Sequence, residues 1–237
     1  MITANAIRAA LRRCATPERA QTQAWFFKTK PGQYGHGDRF IGVVVPDIRR
    51  IVRAHRDAVT LKEIEKLVQS PIHEERLCGL LLLVEKYKTG DEKERARVYT
   101  LYRKLAKRHI NNWDLVDLSS RDIVGEYVRT HENARGTLEK LARSKNLWER
   151  RIAIVSTYAF IRAGEIGPTL MIAEILLRDT HDLIRKAVGW MLRESWKREP
   201  EKVEAFLLHF RRAMPRTTLR YAIERMPQMQ RKEFMAM

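Results

Sequence analysis

Apolar side chains recur every three or four positions along the whole chain, a spacing that puts them on one face of helix after helix. Strand-like alternation is confined to residues 41–45 and stops at Pro46. The fold class this predicts is all-α. Helix starts are legible where Thr16-Pro17 and Ser70-Pro71 place a capping residue before proline, and where Thr60-Leu61-Lys62-Glu63 forms a capping box. Asn112 and Asn146, each shortly before a tryptophan, are further cap candidates. Stops fall at Gly90, Gly164 and Pro200. These signals predict helices of about 10 to 18 residues joined by short loops.

Three segments align with one another: Glu75-Arg76-Leu77-Cys78-Gly79-Leu80, Arg150-Arg151-Ile152-Ala153-Ile154-Val155 and Arg185-Lys186-Ala187-Val188-Gly189-Trp190. Their offsets are 75 and 35 residues, leaving room for one further unit near Trp113. A helix-pair repeat of roughly 35 to 40 residues is the size of HEAT-like units, which stack into a curved α-solenoid. The expected organisation is one domain over residues 1–237. It begins with helices and a glycine-rich connection (1–45), continues as stacked helix pairs (46–228) and ends in a flexible tail (229–237).

Charge narrows the partner. Forty-six Lys/Arg against 29 Asp/Glu leave +17 in 237 residues, which points first to nucleic acid and second to an anionic membrane. The excess is +7 in residues 1–55, +3 in 56–182 and +7 in 183–237, so two basic ends flank a nearly balanced middle. Scattered solubilising charge explains single arginines but accounts poorly for that total. With only Cys14 and Cys78, a disulfide framework and a four-thiolate zinc or iron–sulfur site are excluded within one chain. No apolar run approaches the ~20 residues of a spanning helix, and a cytoplasmic, soluble protein is expected. Residues 1–17 carry Arg8, Arg12 and Arg13 without an acid, as mitochondrial transit peptides do. The competing reading is a first packed helix with Ile7, Ala10, Leu11 and Cys14 as one apolar stripe.

The segment Asn112-Trp113-Asp114-Leu115-Val116-Asp117 is the most informative. Asn112 as cap and Asp114 in the first turn have sufficient structural reasons. Asp117 lies one turn beyond Trp113, and an (i, i+4) pair presents indole and carboxylate from the same face. Such a pair could hold a sugar or a cation, although a tryptophan at a helix start is usually core. Trp148 precedes Arg150 and Arg151, and Trp190 shares a segment with Arg185, Lys186 and Arg193. Interleaved aromatic and basic groups suit nucleic acid. Trp148 reads equally as core, and Trp196 has no assignment.

On these residues, and on Asn146-Leu147-Trp148-Glu149-Arg150-Arg151-Ile152-Ala153 and Arg185-Lys186-Ala187-Val188-Gly189-Trp190-Met191-Leu192-Arg193-Glu194, the chain resembles the AlkD family of DNA alkylation-repair glycosylases. The segment from Gly32 to Val43 is similar to one found in that wider superfamily. The resemblance implies hydrolysis of the N-glycosidic bond of N3- and N7-alkylated purines in double-stranded DNA, without metal or cofactor and without drawing the base into a pocket. It assigns the catalytic carboxylate to Asp117, paired tryptophans to Trp113 and Trp190, and a phosphate-contacting arginine to Arg151. Arg150, Arg185, Lys186 and Arg193 are expected to contact DNA, and no protein partner is expected beyond the monomer. Such a protein is expected in the bacterial cytoplasm, on the nucleoid when bound. On the N-terminal side of the cleft that the resemblance implies, where the best-known member of the family has a glutamine, this sequence has Val43-Val44-Val45 before Pro46.

Other motifs do not carry chemistry. His73-Glu74-Glu75-Arg76-Leu77 begins like a zinc-protease helix but has leucine in place of the second histidine. Gly32, Gly35 and Gly37 lack the lysine and hydroxyl of a phosphate loop and read as a flexible turn against DNA backbone. Gly164-Glu165-Ile166-Gly167 has the wrong spacing for the helix-hairpin-helix of other glycosylases. Two rival functions stand beside the glycosylase. A non-catalytic DNA-structure binder would keep the charge without needing Asp117, and a HEAT-type protein scaffold would need neither the basic ends nor the tryptophans.

Overall fold

The computed structural model describes residues 2–134 and 136–236. Among them, the only bridges are isolated, Ile2 with Val59 and Arg39 with Ile72, and residues 41–45 form no strand. Gly42 shows why: it adopts φ +82°, and a Cβ there would lie 2.0 Å from the Thr16 carbonyl oxygen. Only glycine permits that turn against the neighbouring segment.

Contacts divide the chain into two compact units, Met1–Ser119 and Ser120–Met237, where the sequence suggested one array. In a helical-repeat chain each element meets only its neighbours, so contacts thin wherever the helical run is interrupted. The first unit contains α1 (Ala4–Arg12), α2 (Pro17–Phe26), α3 (Val45–His55), α4 (Leu61–Val68), α5 (His73–Thr89), α6 (Glu92–Ala106) and α7 (Trp113–Asp117). The second opens with a π-helical turn, Arg121–Gly125, then α8 (Glu126–Thr130), a 3-10 turn (Glu132–Ala134), α9 (Gly136–Ala142) and α10 (Leu147–Ser156). It continues with α11 (Tyr158–Arg162), α12 (Gly167–Leu176), α13 (Asp182–Trp196), α14 (Pro200–Phe210), α15 (Arg216–Ala222) and α16 (Gln228–Ala236). Several of these are shorter than the expected 10 to 18 residues; α7, α8 and α11 have five each.

The capping signals hold at most sites. Thr60 accepts from the Glu63 N–H, Asn112 from the Trp113 N–H and Asn146 from the Trp148 N–H. The capping box is only half made, because the Glu63 carboxylate binds the Ala4 N–H at 2.7 Å instead of returning to Thr60. Two proline readings change. Ser70 accepts from the Ile72 N–H in a turn and α5 starts at His73, while Pro200 opens α14 rather than ending α13. The stripe of α1 is buried at Ile7, Ala10 and Leu11, as a packed first helix requires. Residues 228–236 form α16 with Phe234 buried, so this segment is not a tail; Met237 lies outside the described residues.

In the first unit α5 is central, touching α1, α3, α4, α6 and α7. Its run from Leu77 to Val84 is wholly buried, and truncating one such leucine to alanine costs ~2–5 kcal/mol. In the second unit α13 holds the same place, packing against α10, α12, α14 and most extensively α15.

Candidate functional site

Helix α7 carries Trp113 and Asp117, and α5 with the loop of residues 28–44 fixes it. Asn112, fully buried, caps α7 with its Oδ1 and donates from Nδ2 to Asp38 Oδ2 at 2.8 Å. Asp114 does more than complement the helix dipole: its Oδ2 accepts from His73 Nε2 at 2.8 Å. His73 Nδ1 donates to Asp38 Oδ2 at 3.0 Å, and the Arg76 guanidinium closes on Asp38 Oδ1. Burial opposes charge on His73, but the Asp114 charge and the hydrogen bonds to Asp114 and Asp38 outweigh it and raise its pKa to about 9. It is therefore an imidazolium at neutral pH. Burial acts against charge on Asp38 too, and the bond from His73, the Arg76 charge and Asn112 together hold it below the usual carboxylate range.

Aromatic rings complete this setting. Phe27 stacks on Trp113 at 5.3 Å between centroids and on Phe40 at 5.0 Å, and Phe40 stacks on His73 at 4.5 Å. Phe26, 53% exposed, meets Trp113 edge-on at 6.1 Å. Trp113 thus keeps part of its surface open while one face is braced by phenylalanines. Asp117, half-buried, is the last residue of α7, where the helix dipole disfavours a carboxylate. Its charge reaches Tyr102: burial first, then Asp117, push that phenol up.

The glycine-rich loop is anchored rather than flexible. Glu74 Oε1 accepts the N–H groups of Ile41, Gly42 and Val43 at 3.1, 2.8 and 3.2 Å, and Asp38 is held as above. Val43 is buried, and Gln23 Nε2 donates to its carbonyl at 3.1 Å, while Gln23 Oε1 is buried without a partner.

In the second unit, Trp190 on α13 is half-buried and lies 6.5 Å from the Tyr158 ring. The guanidinium groups of Arg121 and Arg162 sit 5.5 and 5.7 Å from the same tyrosine ring. The expected DNA-contacting cations divide by environment. Arg151 is 6% exposed, with Nη1 donating to the Leu183 carbonyl at 2.6 Å, so it ties α10 to α13 instead of standing free. Arg150 is also committed, to Asp179 at 2.6 Å and to the carbonyls of Ser144 and Lys145. Arg185 binds the Asp179 carbonyl through Nε alone. Lys186 pairs with Asp182 at 2.7 Å, and Arg193 pairs with Glu224 and Glu194. Trp148 is buried, in accord with its core reading, and Trp196 donates to Glu204 at 2.8 Å.

A family model described as DNA alkylation repair enzyme matches residues 7–226. The chain belongs to the DNA alkylation repair enzyme family. This agrees with the resemblance seen in the sequence. A solved structure described as a predicted DNA alkylation repair enzyme from Enterococcus faecalis superposes with a TM-score of 0.70 at 19% identity. The superposition covers 90% of this chain and 97% of that one, and it shows that the helical-repeat fold is shared. No curated protein matches the sequence significantly.

For this member of the DNA alkylation repair family, sequence reasoning found α7 but missed its support. The quartet His73-Glu74-Glu75-Arg76 is buried at all four positions, and Glu75 pairs with Arg8 at 2.8 Å. The available signal was its place immediately before the apolar run of α5, where a solvated charge cluster has no room. Phe26, Phe27 and Tyr158, the rings beside the two tryptophans, were also missed. Among the described residues no helix is long and apolar enough to cross a membrane.

Proposed function

We propose that the protein is a glycosylase that hydrolyses the N-glycosidic bond of cationic N3- and N7-alkylated purines, such as 3-methyladenine and 7-methylguanine, in duplex DNA. The observation that carries the reading is Asp117, a half-buried carboxylate at the end of α7, where the helix dipole disfavours it, one turn along the same helical face from an indole stacked by Phe27. Membership of the DNA alkylation repair enzyme family and the +17 charge support the choice of substrate.

The chemistry suits these groups. Alkylation makes the purine a cation, so the C1′–N bond can break with its electron pair passing to a base that leaves neutral. The sugar becomes an oxocarbenium ion, and nearby negative charge lowers its energy. Asp117 supplies that charge. Water then bonds to C1′ and releases its proton to solvent. Trp113 offers a π face to the positive sugar; within the second unit, Trp190 presents a half-buried indole beside Tyr158 that is assigned to DNA contact. Arg185 and Lys186 are assigned to phosphate. Arg151 is assigned to holding the α10–α13 junction beneath them, with phosphate contact through whatever surface remains.

The test is release of 7-methylguanine and 3-methyladenine from methylated duplex under single-turnover conditions. Asp117→Asn keeps shape and removes charge, so excision is expected to fall about 10²-fold or more while DNA affinity is kept or rises. Wild-type protein that binds methylated duplex and releases no base would assign the chain to the non-catalytic DNA binders and leave Asp117 a structural role only.

A further inference from the structure

The second unit treats its cations in two ways. In its earlier helices several find carboxylates, Arg129 with Glu126, Arg150 with Asp179, and Arg162 with Asp122 and Glu126, while others such as Lys140 and Arg143 are exposed singly. Residues 211–232 then hold seven Lys/Arg and a single acid, Glu224. Glu224 is drawn to Arg193 of α13, and among the described residues none of the seven makes an ion pair. Uncompensated like charge repels itself and destabilises a fold, so a concentration of this kind calls for a polyanion outside the chain.

Three of these cations meet at one place. Arg220 of α15 and Arg231 and Lys232 of α16 line a cleft of about 660 Å³, together with Gln228 and the apolar Ile223 and Met235. The lining holds no carboxylate. Guanidinium forks and an ammonium around a concavity suit the oxygens of a phosphate. Exposed Arg216 and Arg225 extend the positive surface beyond the cleft, which favours a chain of phosphates over a single small one. The α15 wall of the cleft is also fixed relative to Trp190. A Cβ at Gly189 would lie 2.5 Å from both the Thr218 carbonyl oxygen and Tyr221 Cβ, so α15 lies directly on α13 one residue before that indole.

We propose that the α15–α16 cleft binds backbone phosphates of duplex DNA and sets the strand at a fixed offset from Trp190. This rests on the DNA reading above and assigns residues outside the candidate site.

The experiment is binding of undamaged fluorescent duplex as a function of salt, which requires no base release. Arg231→Glu with Lys232→Glu is compared with Lys140→Glu plus Arg143→Glu, an exposed pair on α9 and just after it that carries the same change in charge. The cleft variant is expected to bind on the order of tenfold more weakly and to lose about two from the slope of log K against log salt, the count for two phosphate contacts. The control is expected to keep the wild-type slope. Equal losses in the two variants, or an unchanged slope in the cleft variant, would overturn the site. So would wild-type preference for anionic vesicles or single-stranded RNA over duplex. If the double charge reversal alters the circular dichroism spectrum, Arg231→Gln with Lys232→Gln gives the same readout with less repulsion. Wild-type protein that binds no duplex at all removes the DNA reading itself, whereas binding that ignores the cleft removes only this proposal.

Discussion

The junction of α5, α7 and the 28–44 loop and the α15–α16 end both concentrate charge, with opposite outcomes. At the first, His73, Glu74, Glu75 and Arg76 are buried and meet partners within hydrogen-bond distance; at the second, none of the seven cations has a carboxylate partner among the described residues, and only Arg216 is tied down, to the Met235 carbonyl at 2.8 Å. Buried charge with its partners in place serves geometry, since breaking one member leaves an uncompensated ion inside the protein. Exposed charge without partners contributes little to the fold and remains available to something else. The difference shows that a basic total of +17 points to a class of partner, but locates its binding surface only once each cation's own partner is known.

The largest effect that would test this contrast is removal of His73. His73→Ala leaves Asp38 and Asp114 facing each other across a cavity and is expected to cost ~3–5 kcal/mol in urea denaturation. A loss below 1 kcal/mol would mean that the buried cluster does not hold α7.

Wild-type stability should next show an alkaline decline. The His73 pKa is raised to about 9 when folded, against about 6.5 unfolded. Its contribution is therefore complete below about pH 6.5 and disappears as pH rises through about 9, a total of roughly 3 kcal/mol. His73→Gln should flatten that part of the profile, and a decline of equal size in that variant would assign it elsewhere.

A smaller loss is expected at Asn112, which both caps α7 and donates to Asp38. Asn112→Ala should cost about 1–2 kcal/mol and lower excision with it, because the helix bearing Trp113 and Asp117 loses its start. Retained melting temperature with lost excision would show that Asn112 acts on substrate. Smallest of all, Arg225→Ala at the unpaired end should change stability by no more than about 0.5 kcal/mol, with relief of repulsion making a slight gain possible. A loss of 2 kcal/mol there would reveal a partner within the chain and dissolve the contrast.

Much of the fold was legible because helix signals are local. The stripe of α1, the caps at Thr60, Asn112 and Asn146, and the shared face of Trp113 and Asp117 all depend on neighbours within four residues. The burial of the quartet was signalled only by the apolar run that follows it, and its pairing was not legible, since four charged residues at a helix start look solvated unless their partners are known. Those partners lie 31 to 67 residues away. The same distance rule hid Tyr158 beside Trp190 and the commitment of Arg151 to Leu183. Residues 229–236 were misread because polar composition concealed one anchoring ring, Phe234.

The separation between Asp38 and Asn112 also bears on how the first unit is made. Repeat folds usually complete each contact soon after the chain leaves the ribosome, but Asp38 waits 74 residues for Asn112, and the Ala4 N–H waits 59 for Glu63. At ~5–20 residues per second, the longer interval is about 4 to 15 s. Over that interval the loop of residues 28–44 has turns of its own and gains in succession the imidazole of His73, 35 residues beyond Asp38, the carboxylate of Glu74, 32 beyond Gly42, and the amide of Asn112. The amide is the last to arrive, and it comes one residue ahead of α7, so the loop is secured only as the helix bearing Asp117 is being synthesised.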